Sequence, residues 1–161
     1  SIVEEEDFES AVDRGRKYDP DLLVEKYISG YEATVGVIRT DQVKVLPPVG
    51  IRPSHDFFDY ETKYTKGLTD YDVPADLDGE MSSQLQNHAG EVARELNTES
   101  LCRVDYIVSG ESFYLLEINT IPGLTETSLL PKAADLVGIP FPDLIWKLIL
   151  SAGEVPQWRA A

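Results

Sequence analysis

Arg103, Asp105, Glu117 and Asn119 are the residues whose types and spacing could do chemistry. They lie in Arg103-Val104-Asp105-Tyr106-Ile107-Val108 and in Phe113-Tyr114-Leu115-Leu116-Glu117-Ile118-Asn119-Thr120. Both runs read as strands. Ser109-Gly110-Glu111-Ser112 joins them, with glycine where a hairpin needs it. In an antiparallel pair, opposed residues share a face, and so do residues two apart. A three-residue loop sets Asp105 opposite Glu117 and Arg103 opposite Asn119. The other face then carries Val104, Tyr106, Val108, Leu116 and Ile118, a wall for a core. The assignment depends on register, because a slip of one residue would exchange the faces.

Two carboxylates about 4 Å apart repel by roughly 4 kcal/mol at an effective dielectric near 20. A sequence that places them together gains from a cation there. Carboxylate and amide oxygens, with no His or Cys nearby, favour Mg²⁺ or Mn²⁺ over Zn²⁺. Mg²⁺ held by few carboxylates completes its shell with water and phosphate oxygens, which points to nucleotide-phosphate chemistry. The same spacing also fits a solvated strand face on which Arg103 pairs with a carboxylate, and spacing alone does not separate the two.

The elements that must hold these residues follow from periodicity. Glu5 to Lys17 carries Phe8, Ala11 and Val12 at helical spacing. Leu22 to Ile28 reads as a strand, and Tyr31 to Arg39 as another. In the latter, Ala33, Val35 and Val37 point one way and Glu32, Thr34 and Gly36 the other. Val43 to Ile51 continues the sheet, with Pro47-Pro48 marking an edge or a bulge. Pro53 to Pro74 reads as one long, Tyr-rich loop, and loops of that length in compact domains tend to be functional. Asp76 to Asn97 is helical, with Met81, Leu85, Ala89, Val92 and Leu96 on one side. Pro131 fits the first turn of a short helix ending near Gly138. A last helix starts at Pro142, and Trp146 within it is expected in the core. The layout is α+β: a largely antiparallel sheet with helices packed on one face.

With 161 residues and 42% hydrophobic content, the chain suits one domain with a real core. A net charge of −15 argues against a general nucleic-acid or membrane-surface binder, since both need a basic field. The one cysteine, Cys102, excludes an internal disulfide and is expected to be small, buried and inert. His88 is expected beside the apolar stripe of its helix and His55 on a surface loop. No apolar run approaches a membrane span and no signal peptide is visible.

Several segments carry a family resemblance. Leu23-Val24-Glu25-Lys26-Tyr27-Ile28, then Gly30-Tyr31-Glu32-Ala33-Thr34-Val35-Gly36, resembles the hinge and following strand of ATP-grasp ligases. Phe58-Asp59-Tyr60-Glu61-Thr62-Lys63-Tyr64, with Tyr71 and Pro74-Ala75, resembles the omega loop of the D-alanine–D-alanine ligases. Arg103-Val104-Asp105, then Leu116 to Thr125, Ser128-Leu129 and Pro131, is similar to that family's metal and substrate segment. The resemblance spans about Leu22 to Ala152 and implies the C-terminal part of the ATP-grasp region.

It further implies that Glu25, Lys26 and Ile28 lie along the adenine and that Glu32 binds ribose hydroxyls. Asp105, Glu117 and Asn119 would hold two Mg²⁺ ions (or Mn²⁺), with Glu117 bridging. Lys63 would reach the transferred phosphate, and Tyr64 would help close the loop. Arg103 and the Gly123 backbone N–H would steady the acyl phosphate and the tetrahedral oxyanion. Ser128 and Leu129 would contact the second D-alanine. The implied reaction joins two D-alanines with ATP for peptidoglycan precursors, in the bacterial cytoplasm, by a parent enzyme that is usually a homodimer.

Residues 1–152 would form a partial ATP-grasp domain without the N-terminal substrate domain or phosphate loop, and 153–161 a tail. This chain alone is expected to be inactive or nearly so. Cys102 departs from the glycine or alanine usual before the arginine, and Thr127 and Lys132 depart near the second-substrate site. Two alternatives stay open: a D-alanyl-D-serine or D-alanyl-D-lactate ligase, and a non-catalytic nucleotide- or metal-binding remnant.

Overall fold

The computed structural model describes residues 2–40, 42–53 and 69–154. Six strands are present among them: β1 (Tyr31–Arg39), β2 (Val43–Val45), β3 (Val49–Pro53), β4 (Thr69–Asp72), β5 (Ser100–Ser109) and β6 (Ser112–Asn119). All pairings are antiparallel. The order is β4-β3-β1-β5-β6, with β2 also on β1. The helices are α1 (Phe8–Gly15), α2 (Gly79–Glu95), α3 (Leu129–Leu136) and α4 (Phe141–Glu154), with a 3₁₀ turn at Glu5–Asp7 before α1.

β1 and β5 are central, and their alternating residues feed two cores. On one face Ala33, Val35 and Val37 meet Val104, Tyr106 and Val108, and Met81, Leu85, Ala89 and Ala93 of α2 cover them. On the other face Ile38, Leu46 and Val49 pack against Leu130, Ala133 and Ala134 of α3 and Leu144 of α4. The α+β class and the antiparallel sheet are as expected. The helices, however, cover both faces and not one. The apolar residues of β2, β3 and the link between them explain this, because Val45 joins the first core while Leu46 and Val49 join the second.

Other expectations also change. Leu22–Ile28 forms no strand: no ladder includes it, and Leu23 and Val24 are largely exposed. Apolar alternation makes a strand only where an edge is offered. Val43 to Ile51 is two strands. Pro47-Pro48 breaks the run, and three residues (46–48) on that side lie against two (35–36) on β1, the extra residue of a bulge. The loop expected from Pro53 to Pro74 contains β4, which pairs with β3. Residues 54–68 of it, including His55, lie outside the described residues, as does the tail from 155. Leu96 is exposed, and Ala93 takes its place in the core. Trp146 is also exposed, since Leu144 and Leu148 are the residues of α4 that reach the core. Cys102 is buried, as expected, and accepts from the Thr98 hydroxyl; His88 is half-buried on α2, with Nδ1 3.1 Å from the Tyr106 hydroxyl. Among the described residues no single helix is long and apolar enough to cross a membrane.

Candidate active site

The β5–β6 hairpin sets the site's register. Asp105 pairs with Glu117 and Arg103 with Asn119, as the sequence implied, but by a different route. Ser109 pairs directly with Ser112, so the connection is the two-residue Gly110-Glu111 turn. Gly110 takes φ +61°, which glycine adopts without penalty, at the first central position of a II′-like turn. A two-residue turn alone would misalign the pair. A register shift between Asp105 and Tyr106 restores it, leaving Leu116 as the extra residue. Leu116 is therefore half-exposed and lines the cleft, where unbroken alternation puts it in the core.

β1 extends the pattern. Thr34 pairs with Asp105 and Gly36 with Arg103. The sheet thus carries two adjacent rows: Thr34, Asp105, Glu117 and Gly36, Arg103, Asn119. A side chain at Gly36 would meet Leu46 and Leu130, so this position packs against α3 and not toward the cleft.

The β5 and β6 members of these rows line a cleft of ≈ 780 Å³. Among the expected site residues, Glu25, Glu32, Arg103, Asp105, Glu117 and Asn119 line it. Gly123, Ser128 and Leu129 line it as well. Lys26 and Ile28 do not line it; Lys26 is exposed and Ile28 half-buried on the chain leading to β1. Lys63 and Tyr64 lie outside the described residues. The cleft also holds Tyr71, which sequence reasoning did not assign a role. The Lys132 ammonium lies 5.1 Å from its ring centre, a cation–π contact joining β4 to α3.

Arg103 grips Asp105 with a two-pronged fork: Nε to Oδ1 at 2.9 Å and Nη2 to Oδ2 at 2.8 Å. This pair, with Glu117 and Tyr71 nearby, holds the guanidinium charged, above its ordinary value, against the opposing effect of burial. The Asp105 carboxylate also accepts from the Thr34 hydroxyl. Glu117 is exposed, and its carboxylate hydrogen-bonds to none of the described residues. Asn119 Oδ1 accepts from the Ile121 N–H at 3.0 Å, which fixes its amide at the start of the loop. Ser128 begins α3, and its hydroxyl bonds back to the Thr125 N–H and hydroxyl, toward Gly123.

Among the described residues no three His, Cys, Asp or Glu side chains converge as a metal cluster. The donor set here is two carboxylates and an amide, and its all-oxygen character fits a hard divalent cation. Arg103 pairs with the Asp105 carboxylate, as the other reading of this face expects.

Residues 1–150 match the family model described as "D-ala D-ala ligase C-terminus". The D-alanine--D-alanine ligase of Syntrophotalea carbinolica is 40% identical over 153 residues, 94% of this chain and 49% of the relative. That of Syntrophobacter fumaroxidans is 41% identical over 157 residues, 96% and 50% respectively. Among solved structures, D-alanine--D-alanine ligase from Bacillus anthracis complexed with ATP superposes with a TM-score of 0.76 at 30% identity, covering 96% of this chain and 50% of that one. VanG D-Ala:D-Ser ligase from Enterococcus faecalis gives 0.76 at 30%, covering 91% and 43%. The chain spans about half the length of the curated relatives it matches.

Proposed function

Since the chain belongs to the D-ala D-ala ligase C-terminus family, we propose that it forms the metal- and phosphate-handling half of an ATP-dependent ligase joining two D-alanines. The observation that carries this reading is the pair of rows on β5 and β6. Two carboxylates, an amide and a guanidinium share one cleft floor.

A D-alanine carboxylate is a poor electrophile, and phosphorylation by ATP converts it to an acyl phosphate that the amine of a second D-alanine attacks. Asp105, Glu117 and Asn119 would hold Mg²⁺ (two ions, as the family resemblance implies). The metal would neutralise charge on the transferring phosphoryl oxygens. Arg103 presents a fixed positive charge beside that position, so it needs little reorganisation to stabilise the oxyanion. Gly123 is exposed and lines the same cleft, and its N–H would donate to the same oxygen. Ser128, at the start of α3, suits the second amino acid's carboxylate, because helix N-termini favour anions. Glu25 and Glu32 line the end of the cleft that would take the adenosine. Lys63 and Tyr64 keep their expected roles at the phosphate and in water exclusion. The parent enzyme is read as a cytoplasmic homodimer serving peptidoglycan synthesis.

The test is calorimetric titration of the chain with Mg·ADP, repeated on Glu117→Ala. Metal-dependent binding that disappears in the variant is expected. Binding unchanged by the variant would place the metal elsewhere and overturn the site. The similarity to a D-Ala:D-Ser ligase gives a second reading. It is separated by product analysis of the protein carrying this chain, offered ATP with D-alanine and D-serine. D-alanyl-D-alanine is the expected product, and D-alanyl-D-serine alone would transfer the assignment.

A further inference from the structure

We propose that Thr34 is a positioning residue that leaves Asp105 a single oxygen lone pair for the metal. The inference rests on the metal-site reading above and deepens it. Thr34 is in the middle of β1 and 2% exposed. The ladder places it directly opposite Asp105. A buried hydroxyl must find an acceptor, and Oγ1 has two within reach: Asp105 Oδ1 and, at 3.5 Å, the Val104 carbonyl. It has one proton to give. The charged, nearer oxygen takes it, since 3.5 Å is beyond the normal range and ionised acceptors bind more strongly.

Counting lone pairs gives the consequence. A carboxylate oxygen offers about two acceptor positions. Asp105 Oδ1 accepts from Thr34 Oγ1 and from Arg103 Nε, so it is saturated. Oδ2 accepts from Arg103 Nη2 alone and keeps one position. With both donors in place, Asp105 would offer a cation Oδ2 alone. Arg103 by itself does not fix this geometry, because its fork and the carboxylate can swing together. Thr34 anchors the carboxylate to the central strand. Its branched side chain has few χ1 positions in a strand, so the hydroxyl stays aimed.

Such supporting contacts to a metal ligand are typically worth about 10–100-fold in metal affinity or activity. The test is Mn²⁺ binding to the chain in the presence of ADP, followed by loss of the free-ion electron paramagnetic resonance signal. It is run on wild type, Thr34→Val and Thr34→Ser, at a temperature where circular dichroism shows each folded. Thr34→Val is nearly isosteric but donates nothing, and is expected to weaken Mn²⁺ binding by about 10–100-fold. Thr34→Ser restores the donor and is expected to stay close to wild type, which a loss of mere packing would not do. Should the valine variant not fold, Thr34→Ala, equally without a donor, is read in its place. Wild-type or tighter Mn²⁺ affinity in the hydroxyl-free variant, or a serine variant as weak as it, would overturn the positioning role and leave the metal site standing. A wild-type chain that takes up no Mn²⁺ would instead overturn the metal-site reading, and this inference with it.

Discussion

On β5, Val104, Tyr106 and Val108 point into the core beneath α2 and are buried, whereas Arg103, Asp105 and Ile107 on the same backbone point to the other face and are only partly so. The α2 face and the cleft part of the opposite face are held by different physics, although the opposite face has its own apolar core under α3 and α4. The α2 face is built by burial, which is non-directional and tolerates many apolar residues of similar volume. Its polar atoms are few and each has a partner: the Tyr106 hydroxyl meets His88, and burial pushes its pKa well above the usual tyrosine value. On the cleft face Asp105 is placed by Arg103 and Thr34, and the Asn119 amide by the Ile121 N–H. Substitutions on the first face should therefore cost stability and spare the site. Those on the second should cost binding.

The hardest blow to this division comes from Leu85, fully buried where α2 meets the sheet. Leu85→Ala is expected to cost about 2–5 kcal/mol in urea unfolding, from lost burial and the cavity left behind. Mg·ADP affinity of the folded fraction should stay unchanged. A weakened affinity without loss of stability would show that the faces are coupled through β5. A finer probe is Asp78, which caps α2 by accepting from the Met81 N–H at 2.7 Å. Asp78→Ala is expected to cost about 1 kcal/mol by the same unfolding measurement, again without effect on the cleft. A cost near zero would mean that packing alone sets where α2 begins.

The same division explains what could be read from the chain. Alternation gave the faces of β1 and β5 correctly, because both strands are central and buried. It placed Asp105 opposite Glu117 through a three-residue loop, while the protein uses a two-residue turn and a bulge. Each device inserts one residue, so the charged row is the same and only Leu116 changes face. The bulge depends on the local ladder, which a pattern of apolar residues does not encode. Leu22–Ile28 has the pattern of a strand, yet strand formation needs a neighbour that no local pattern can report. Thr34 could be assigned to the polar face but not to Asp105, since that contact crosses 71 positions of sequence. Of the motif expected at the adenine, Glu25 lines the cleft while Lys26 and Ile28 do not.

The cluster at the β1–β3–β4 edge was illegible for the same reason, and it gives the mildest test of the comparison. The Tyr31 hydroxyl donates to Asp72 at 2.6 Å and accepts from the Asp76 N–H. Arg52 pairs with Asp72 and, at 3.1 Å, with Asp76. A side chain at Gly50 would collide with the Tyr31 hydroxyl, so glycine is what lets these residues meet. The Tyr31 hydrogen bond first, and Arg52 second, hold the Asp72 carboxyl below its ordinary value. A depressed carboxylate contributes stability that is complete above the unfolded aspartate pKa of about 3.9. That contribution is lost as pH falls through the lower folded value. Wild type should therefore lose more stability than Asp72→Asn as pH drops from about 5 into that range, as measured by thermal melting across pH. The pair is partly solvent-exposed, so added salt should shrink the difference. Superimposed acid limbs at low salt would mean that this edge, like the α2 face, is held by packing and not by charge.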